Sequence, residues 1–253
     1  MLKIWEKVSC GLSVKWIILH YGPLDTLRWI WRSLPYHLWL HFSRSGREEL
    51  TFDTSYGVET DGIVEPAHFG LYDHGYSVAD AVHYAPTKPR RLVYLLNNLT
   101  IDYRQFTFVD IGAGKGRALL LAAKLPFRRV VGVEFSPGLA TIAQKNAEIF
   151  ARINPGSAPI EVICGDASEY ELPNENLVIY LFNPFNGATF ARFLTGLERS
   201  LRDNFRTVYV VYWSPMSEQQ LTQCGFLEKF AGRRDQFAVY RTLGASSSAG
   251  NKS

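Results

Sequence analysis

Three acids and an asparagine each stand at the end of an apolar run. Asp110 lies in VDIGAGKGRALLLAA (109–123), two residues ahead of Gly112, with Gly114 and Gly116 following. Glu134 closes RRVVGVEF (128–135), Asp166 follows IEVICG (160–165), and Asn183 opens Asn-Pro-Phe directly after LVIYLF (177–182). Closely spaced glycines permit positive φ and let backbone approach a ligand. The helix expected after them has unsatisfied N–H groups at its start. The combination predicts a site for a nucleotide-like cofactor at the carboxyl end of the first strand. A dinucleotide fingerprint would read G-x-G-x-x-G. Here the spacing is G-x-G-x-G, with the anionic Asp110 poorly placed for a pyrophosphate and well placed for a cationic amino group. Glu134 can accept both hydroxyls of a ribose, and Asp166 can accept from an exocyclic adenine amine. Any one of these acids alone reads as a helix cap or solvated charge, so the argument rests on the set.

The elements that must hold this set alternate. FTFVDIG (106–112), RRVVGVEF (128–135), IEVICG (160–165), LVIYLF (177–182) and RTVYVVYW (206–213) read as strands. Between them KGRALLLAAKL (115–125), SPGLATIAQKNAEIFARI (136–153) and GATFARFLTGLERSLRD (187–203) read as helices, and TKPRRLVYLLNNL (87–99) as a helix before the first strand. Alternation of this kind implies a parallel sheet covered on both faces. GFLEKFA (225–231) and DQFAVYRT (235–242) follow one another with no helix between and predict an antiparallel hairpin. The expected fold class is α/β: a doubly wound, mostly parallel seven-strand sheet with an antiparallel C-terminal hairpin, plus an N-terminal helical extension.

The front of the chain has a different composition. Five of the six tryptophans lie in the first 39 residues, and all six histidines lie between His20 and His83. Residues 1–50 read as an aromatic-rich helical extension. Within it Leu24, Leu27, Trp31, Leu34 and Leu38 recur at helical spacing. This stripe is expected to pack on the main domain. An interfacial helix touching a membrane surface or a partner through residues 1–42 is the alternative. Residues 51–86, rich in Gly, Asp, Tyr and His, read as a long loop or lid. The catalytic domain is then 87–243, and GASSSAGNKS (244–253) a disordered tail. Net charge is +3 over 253 residues, too small to argue for nucleic acid. Three scattered cysteines form neither a disulfide framework nor a metal pattern, and no metal site is expected. With no apolar core resembling a signal peptide and no apolar run long enough to span a bilayer, a cytoplasmic location is expected, with membrane-peripheral contact as the variant.

Taken together, D-x-G-x-G-x-G at 110–116, the acid Glu134, G-D-A at 165–167 and N-P-F at 183–185 resemble the class I, seven-strand S-adenosylmethionine-dependent methyltransferases. The wording is closest to uncharacterised bacterial members and is similar, more distantly, to seven-strand lysine methyltransferases. The resemblance covers about residues 84–242 and implies S-adenosyl-L-methionine as cofactor. It implies that Asp110 with Gly112, Ala113, Gly114 and Gly116 contacts the methionine part, Glu134 the ribose, and Asp166 with Ala167 the adenine. Tyr84 to Thr87 (Y-A-P-T) is similar to a segment that closes over the methionine end, which places Tyr84 and Thr87 in the site. In amino-methylating relatives of the D/N-P-P-F/Y type, the Asn side chain and a Pro carbonyl accept hydrogen bonds from the target amine. Asn183 and Pro184 take those roles here, with Phe185 stacking on a planar target or excluding water. This chain has Phe185 where a second proline would stand, which separates it from the nucleobase-modifying pattern.

Methyl transfer from a sulfonium is an in-line displacement, governed by orientation and desolvation. It needs no obligatory acid–base pair, in keeping with a catalytic domain that lacks histidine. A lysine acceptor must first lose its proton, by desolvation or a nearby base; Tyr84 or His83 could assist. The expected activity is N-methylation of a protein side chain, lysine foremost, or of another amine. Nucleic-acid or small-molecule methylation is the alternative, together with a non-catalytic cofactor-binding module. The basic clusters (Lys88, Arg90 and Arg91; Arg128 and Arg129; Arg233 and Arg234) are short and lack a stacking platform, so nucleic acid is disfavoured.

Overall fold

The structure is a computed structural model in which residues 43–65, 83–185, 187–233 and 236–244 are described. The aromatic stripe of residues 1–42, the centre of the expected lid and the polar tail from 245 onward lie outside the described residues.

Seven strands form one sheet: β1 (Phe106–Ile111), β2 (Arg129–Glu134), β3 (Ile160–Cys164), β4 (Asn176–Leu181), β5 (Val208–Trp213), β6 (Leu227–Arg233) and β7 (Phe237–Thr242). Their order is β3-β2-β1-β4-β5-β7-β6. β1 through β5 are parallel, while β7 runs antiparallel between β5 and β6. The expected mostly parallel sheet and its closing antiparallel hairpin are both present. β1, β2, β4 and β5 are apolar on both faces because helices cover both.

Helix α1 (Arg44–Tyr56) precedes α2 (Pro89–Asn97); α3 (Arg117–Ala123), α4 (Pro137–Ile153) and α5 (Gly187–Asp203) are the crossovers, and α6 (Glu218–Thr222) joins β5 to β6. Successive residues of one strand point to opposite faces, and the core divides accordingly. Phe108, Val130, Val178 and Tyr180 pack with Leu92 of α2, Leu119 of α3 and Phe150 of α4. Val109, Val131, Ile179 and Leu181 pack with Phe190, Phe193 and Leu197 of α5. From β1 the chain winds outward through β2 to β3, then returns to lay β4 on the other side of β1. The reversal between β1 and β4 leaves a crevice at their carboxyl ends, the place where open α/β sheets bind ligands.

One boundary differs from the sequence expectation. Residues 51–56 continue helix α1 rather than opening a loop. Ser43 caps the helix by accepting from the Gly46 N–H, and Gly57 ends it in the left-handed conformation at φ 64°. Only Phe52 and a few flanking apolar residues anchor it to the core, so hydrophobic periodicity is weak there.

Candidate functional site

A cavity opens at the β1–β4 reversal. Its lining includes Tyr84, Thr87, Asp110, Gly112, Gly114, Glu134, Tyr180, Asn183 and Pro184. Its free volume is about 50 Å³, against the several hundred Å³ of an ordinary small-molecule site.

The glycine loop turns tightly between β1 and α3. Gly112 lies at φ 79° and donates its N–H to the Val133 carbonyl (2.9 Å) at the end of β2. A Cβ there would come within 2.5 Å of Pro184 Cβ, so the Asn-Pro turn after β4 sits directly against the loop. Gly114, at φ 55°, carries the Tyr84 ring where its own Cβ would be. Gly116 precedes α3 as its N-cap and stands outside the cavity lining.

Asp110 is 3 % exposed and lines the cavity. Burial, with the Glu134 carboxylate nearby, pushes it up to about 8. No hydrogen bond reaches its carboxyl among the described residues. Glu134 is also buried, and burial pushes it up to about 7 against the opposing pull of backbone donors. Its two oxygens accept from Gly114 N–H (2.7 Å) and Ser136 N–H (2.9 Å), tying the glycine loop to the start of α4. Two buried acids line the pocket together with Arg117, whose guanidinium is engaged by Thr60 and Asp53, so the acids are left to meet a positively charged ligand.

A polar network closes the cavity from above. Tyr84 pairs with Val64 in an isolated antiparallel bridge, and its hydroxyl donates to the Thr60 carbonyl (2.5 Å). Arg117, 2 % exposed, donates to Thr60 Oγ1 (2.6 Å) and Asp53 Oδ1 (3.2 Å) and lies over the Phe52 ring. Lys115 donates to Glu59 Oε1 and the Asp61 carbonyl, both at 3.0 Å. Asn146 on α4 clasps Glu59 through both its N–H and its carbonyl. The two cations in GAGKGR therefore face the acids of residues 53–61 rather than a phosphate. These partners went unread in the sequence. Asp53 and Asp61 were visible as loop acids, but nothing in their spacing points to a cation some sixty residues away.

The structure gives the surroundings of three expected site residues. Burial pushes the Tyr84 phenol far above the usual range, and its hydroxyl donates to the Thr60 carbonyl. Phe185 is buried against Phe190 and Phe193 of α5, with ring centroids 6.2 Å from each, and cannot stack on a ligand from there. The Asn183 carboxamide is already engaged: Nδ2 donates to the Ser214 carbonyl (2.8 Å) and Oδ1 accepts from Met216 N–H (3.2 Å). Asn183 and Ser214 both hold positive φ, 46° and 50°, so the ends of β4 and β5 are strained turns locked together. Asp166 and Ala167 follow β3 outside the cavity lining, with Asp166 Oδ1 accepting from the Ser168 N–H and hydroxyl. His83 and Thr87 stand on the lining. Tyr180 is there too and was not anticipated, because it reads as one more core residue of an apolar strand.

Among the described residues no group of three or more His, Cys, Asp or Glu could hold a metal ion. No described helix is long and apolar enough to cross a membrane.

A sheet in the order 3-2-1-4-5-7-6, with its seventh strand antiparallel and a glycine loop at the reversal, is the arrangement of the class I methyltransferase fold. Residues 108–204 match the family model described as methyltransferase domain. A stretch of 41 residues is 56 % identical to the release factor glutamine methyltransferase of Geobacter sulfurreducens, covering 16 % of this chain and 14 % of that relative. The chain thus spans only a small part of that relative's length. Among solved structures it is similar to an RNA methyltransferase from Salinibacter ruber in complex with S-adenosyl-L-homocysteine. That pair is 19 % identical with a TM-score of 0.42, over 62 % of this chain and 92 % of the other. It is also similar to a ribosomal protein L11 methylase from Lactobacillus delbrueckii subsp. bulgaricus, 16 % identical with a TM-score of 0.45, over 63 % and 80 %.

Proposed function

We propose that this chain transfers a methyl group from S-adenosyl-L-methionine to an amine nitrogen, with a protein side chain, lysine foremost, as acceptor. The observation that carries this reading is the contact between Gly112 of the cofactor loop and Pro184 of the Asn-Pro turn. It sets the acid-lined pocket and a polar strand end side by side. In the cofactor pocket, Asp110 would meet the amino group and Glu134 the ribose, while Asp166 and Ala167 would reach the adenine from the loop after β3. The acceptor nitrogen would approach over Asn183 and Pro184. When bound, S-adenosyl-L-methionine would supply the methyl group to that nitrogen's lone pair, the carbon–sulfur bond electrons staying on sulfur as a neutral thioether.

The locked carboxamide of Asn183 alters the part it plays. Oδ1 retains one lone pair for the incoming amine, and the larger contribution of the side chain is to hold the turn that presents Pro184. With Tyr84 committed elsewhere, deprotonation of a lysine falls to desolvation or to His83 at the cavity wall. Charge speaks against a nucleic-acid acceptor. Arg128 and Arg129 pair with Glu175, and Arg91 lies over Trp213, so these basic residues are engaged locally.

The test is incubation of the purified protein with methyl-labelled cofactor and a cell lysate, followed by protease or nuclease. Label is expected in macromolecules and lost on proteolysis. Nuclease-sensitive label would overturn the protein assignment. Tight cofactor binding with no labelled product would overturn catalysis and leave a binding module.

A further inference from the structure

A row of aromatic side chains leads out of the cavity, and no step above uses it. Phe182 lines the cavity directly after β4. Leu181 and Tyr212 are partners in register, as are Trp213 and Phe237, so Phe182, Trp213 and Phe237 fall in one line across the ends of β4, β5 and β7. All three are half-buried on the same core cluster. Arg91 of α2 lies over the Trp213 ring, 4.8 Å from its centroid, and Tyr94, 58 % exposed, meets the Phe237 ring edge-on. Stacking holds the face of the Arg91 guanidinium and leaves its N–H edge open. Arg91 is exposed, and among the described residues no carboxylate pairs with it. Its neighbour Lys88, by contrast, pairs with Glu49 (3.3 Å). Burial pushes the Tyr180 phenol up and the Arg91 charge pulls against it, so the guanidinium is within electrostatic reach of the cavity wall.

One held guanidinium among apolar rings is complementary to a single carboxylate on a mostly apolar chain. A nucleic-acid track would need several free cations in line, and the described part of this row carries only Arg91. We infer that this shelf seats the acceptor polypeptide and that Arg91 selects an acidic residue close to the target lysine. Neighbouring strands lie about 4.8 Å apart, and an extended chain advances about 3.4 Å per residue. The acid therefore falls within about three residues of a lysine entering the cavity beside Phe182. This inference rests on the proposed protein acceptor and deepens it by naming the sequence context of the lysine.

The experiment is methylation of a synthetic peptide library by the full chain with methyl-labelled cofactor. Each peptide carries a central lysine and varied flanks. Wild type is expected to favour Asp or Glu in those flanking positions by about threefold to tenfold in kcat/KM, between an exposed ion pair and a hydrogen bond to a charged group. Most of the difference should lie in KM, because the contact is the same before and during transfer. Arg91→Gln should abolish the preference, and Arg91→Glu should turn it toward Lys or Arg. Calorimetry should show both variants binding S-adenosylhomocysteine as wild type does; weaker binding would place Arg91 in the cofactor site and overturn its role here. A wild type without acidic preference would overturn the inference, as would an Arg91→Glu enzyme that keeps it. A wild type that labels lysate protein but no peptide would overturn selection by local sequence. One that binds S-adenosylhomocysteine and labels only nuclease-sensitive material would sink the protein-acceptor reading itself.

Discussion

Asp110→Asn separates what the fold prefers from what the site requires. In the folded protein this carboxyl is pushed from 3.8 up to about 8 by burial and by Glu134. An acid whose pKa is raised by folding contributes stability below its unfolded value and loses it as pH rises toward the folded one. At pH 7 the unfolded chain has been ionised for about three pH units, while the folded carboxyl is still mostly protonated. At about 1.4 kcal/mol per unit, the wild-type protein forgoes up to about 4 kcal/mol of stability at this position. Asparagine has no such titration, and its carboxamide is no worse partnered than a protonated acid. The variant is therefore expected to be more stable than wild type at pH 7 without ligand, and its advantage should shrink toward pH 4. For a chain of this size each kcal/mol is worth roughly 2–4 °C in Tm. Denaturant melts of both proteins between pH 5 and pH 8 measure the gain, and calorimetry with S-adenosylhomocysteine measures the loss. Affinity should fall by about tenfold or more with the charged partner gone. An Asp110→Asn protein that is less stable at every pH, or that binds the ligand as tightly as wild type, would refute the electrostatic account of this pocket.

Asn183→Ala removes both hydrogen bonds to the β5 turn and leaves a residue at φ 46° that favours Asn or Gly. A loss of about 1–3 kcal/mol is expected, with turnover falling more than cofactor affinity; isothermal binding beside single-turnover assays checks this. Arg117→Met removes the cation from Asp53, which keeps hydrogen bonds from Thr60 and Asp61, and is expected to destabilise by about 1–3 kcal/mol. It should also release residues 59–61, read as faster limited proteolysis near Gly62. Tyr84→Phe removes one donor to Thr60 and nothing from the chemistry. Its pH–rate profile should match wild type, and a shifted basic limb would restore Tyr84 as a proton carrier.

The scaffold was legible because buried parallel strands are long apolar runs and crossover helices carry strong periodicity. Helix α5 spans 187–203 as its pattern indicates. The five-residue α6 was missed because a single buried leucine, Leu221, is too little to set a period. Within the site, strand-end positions could be read because glycine spacing and an acid after an apolar run are local signals. What those side chains bond to is not local. Asn183 finds its partners at Ser214 and Met216, about thirty residues on. Phe185 turns into the core because α5 offers Phe190 and Phe193, which the dipeptide Pro-Phe cannot foretell. The Asp53–Arg117 pair joins a helix and a loop whose alignment exists only after folding.

The ring of Tyr84 lying on Gly114 bears on the timing of turnover. A cofactor far larger than the present cavity can pass in or out only while that ring is displaced, and the ring is anchored through Thr60 to Arg117 and Asp53. Exchange is then paced by the rate at which this anchor opens, which caps both entry and release. Stopped-flow association should show a rate that saturates with ligand concentration in wild type and turns linear when Arg117 is replaced by Met. A linear dependence in the wild-type protein would show that the ring is no barrier.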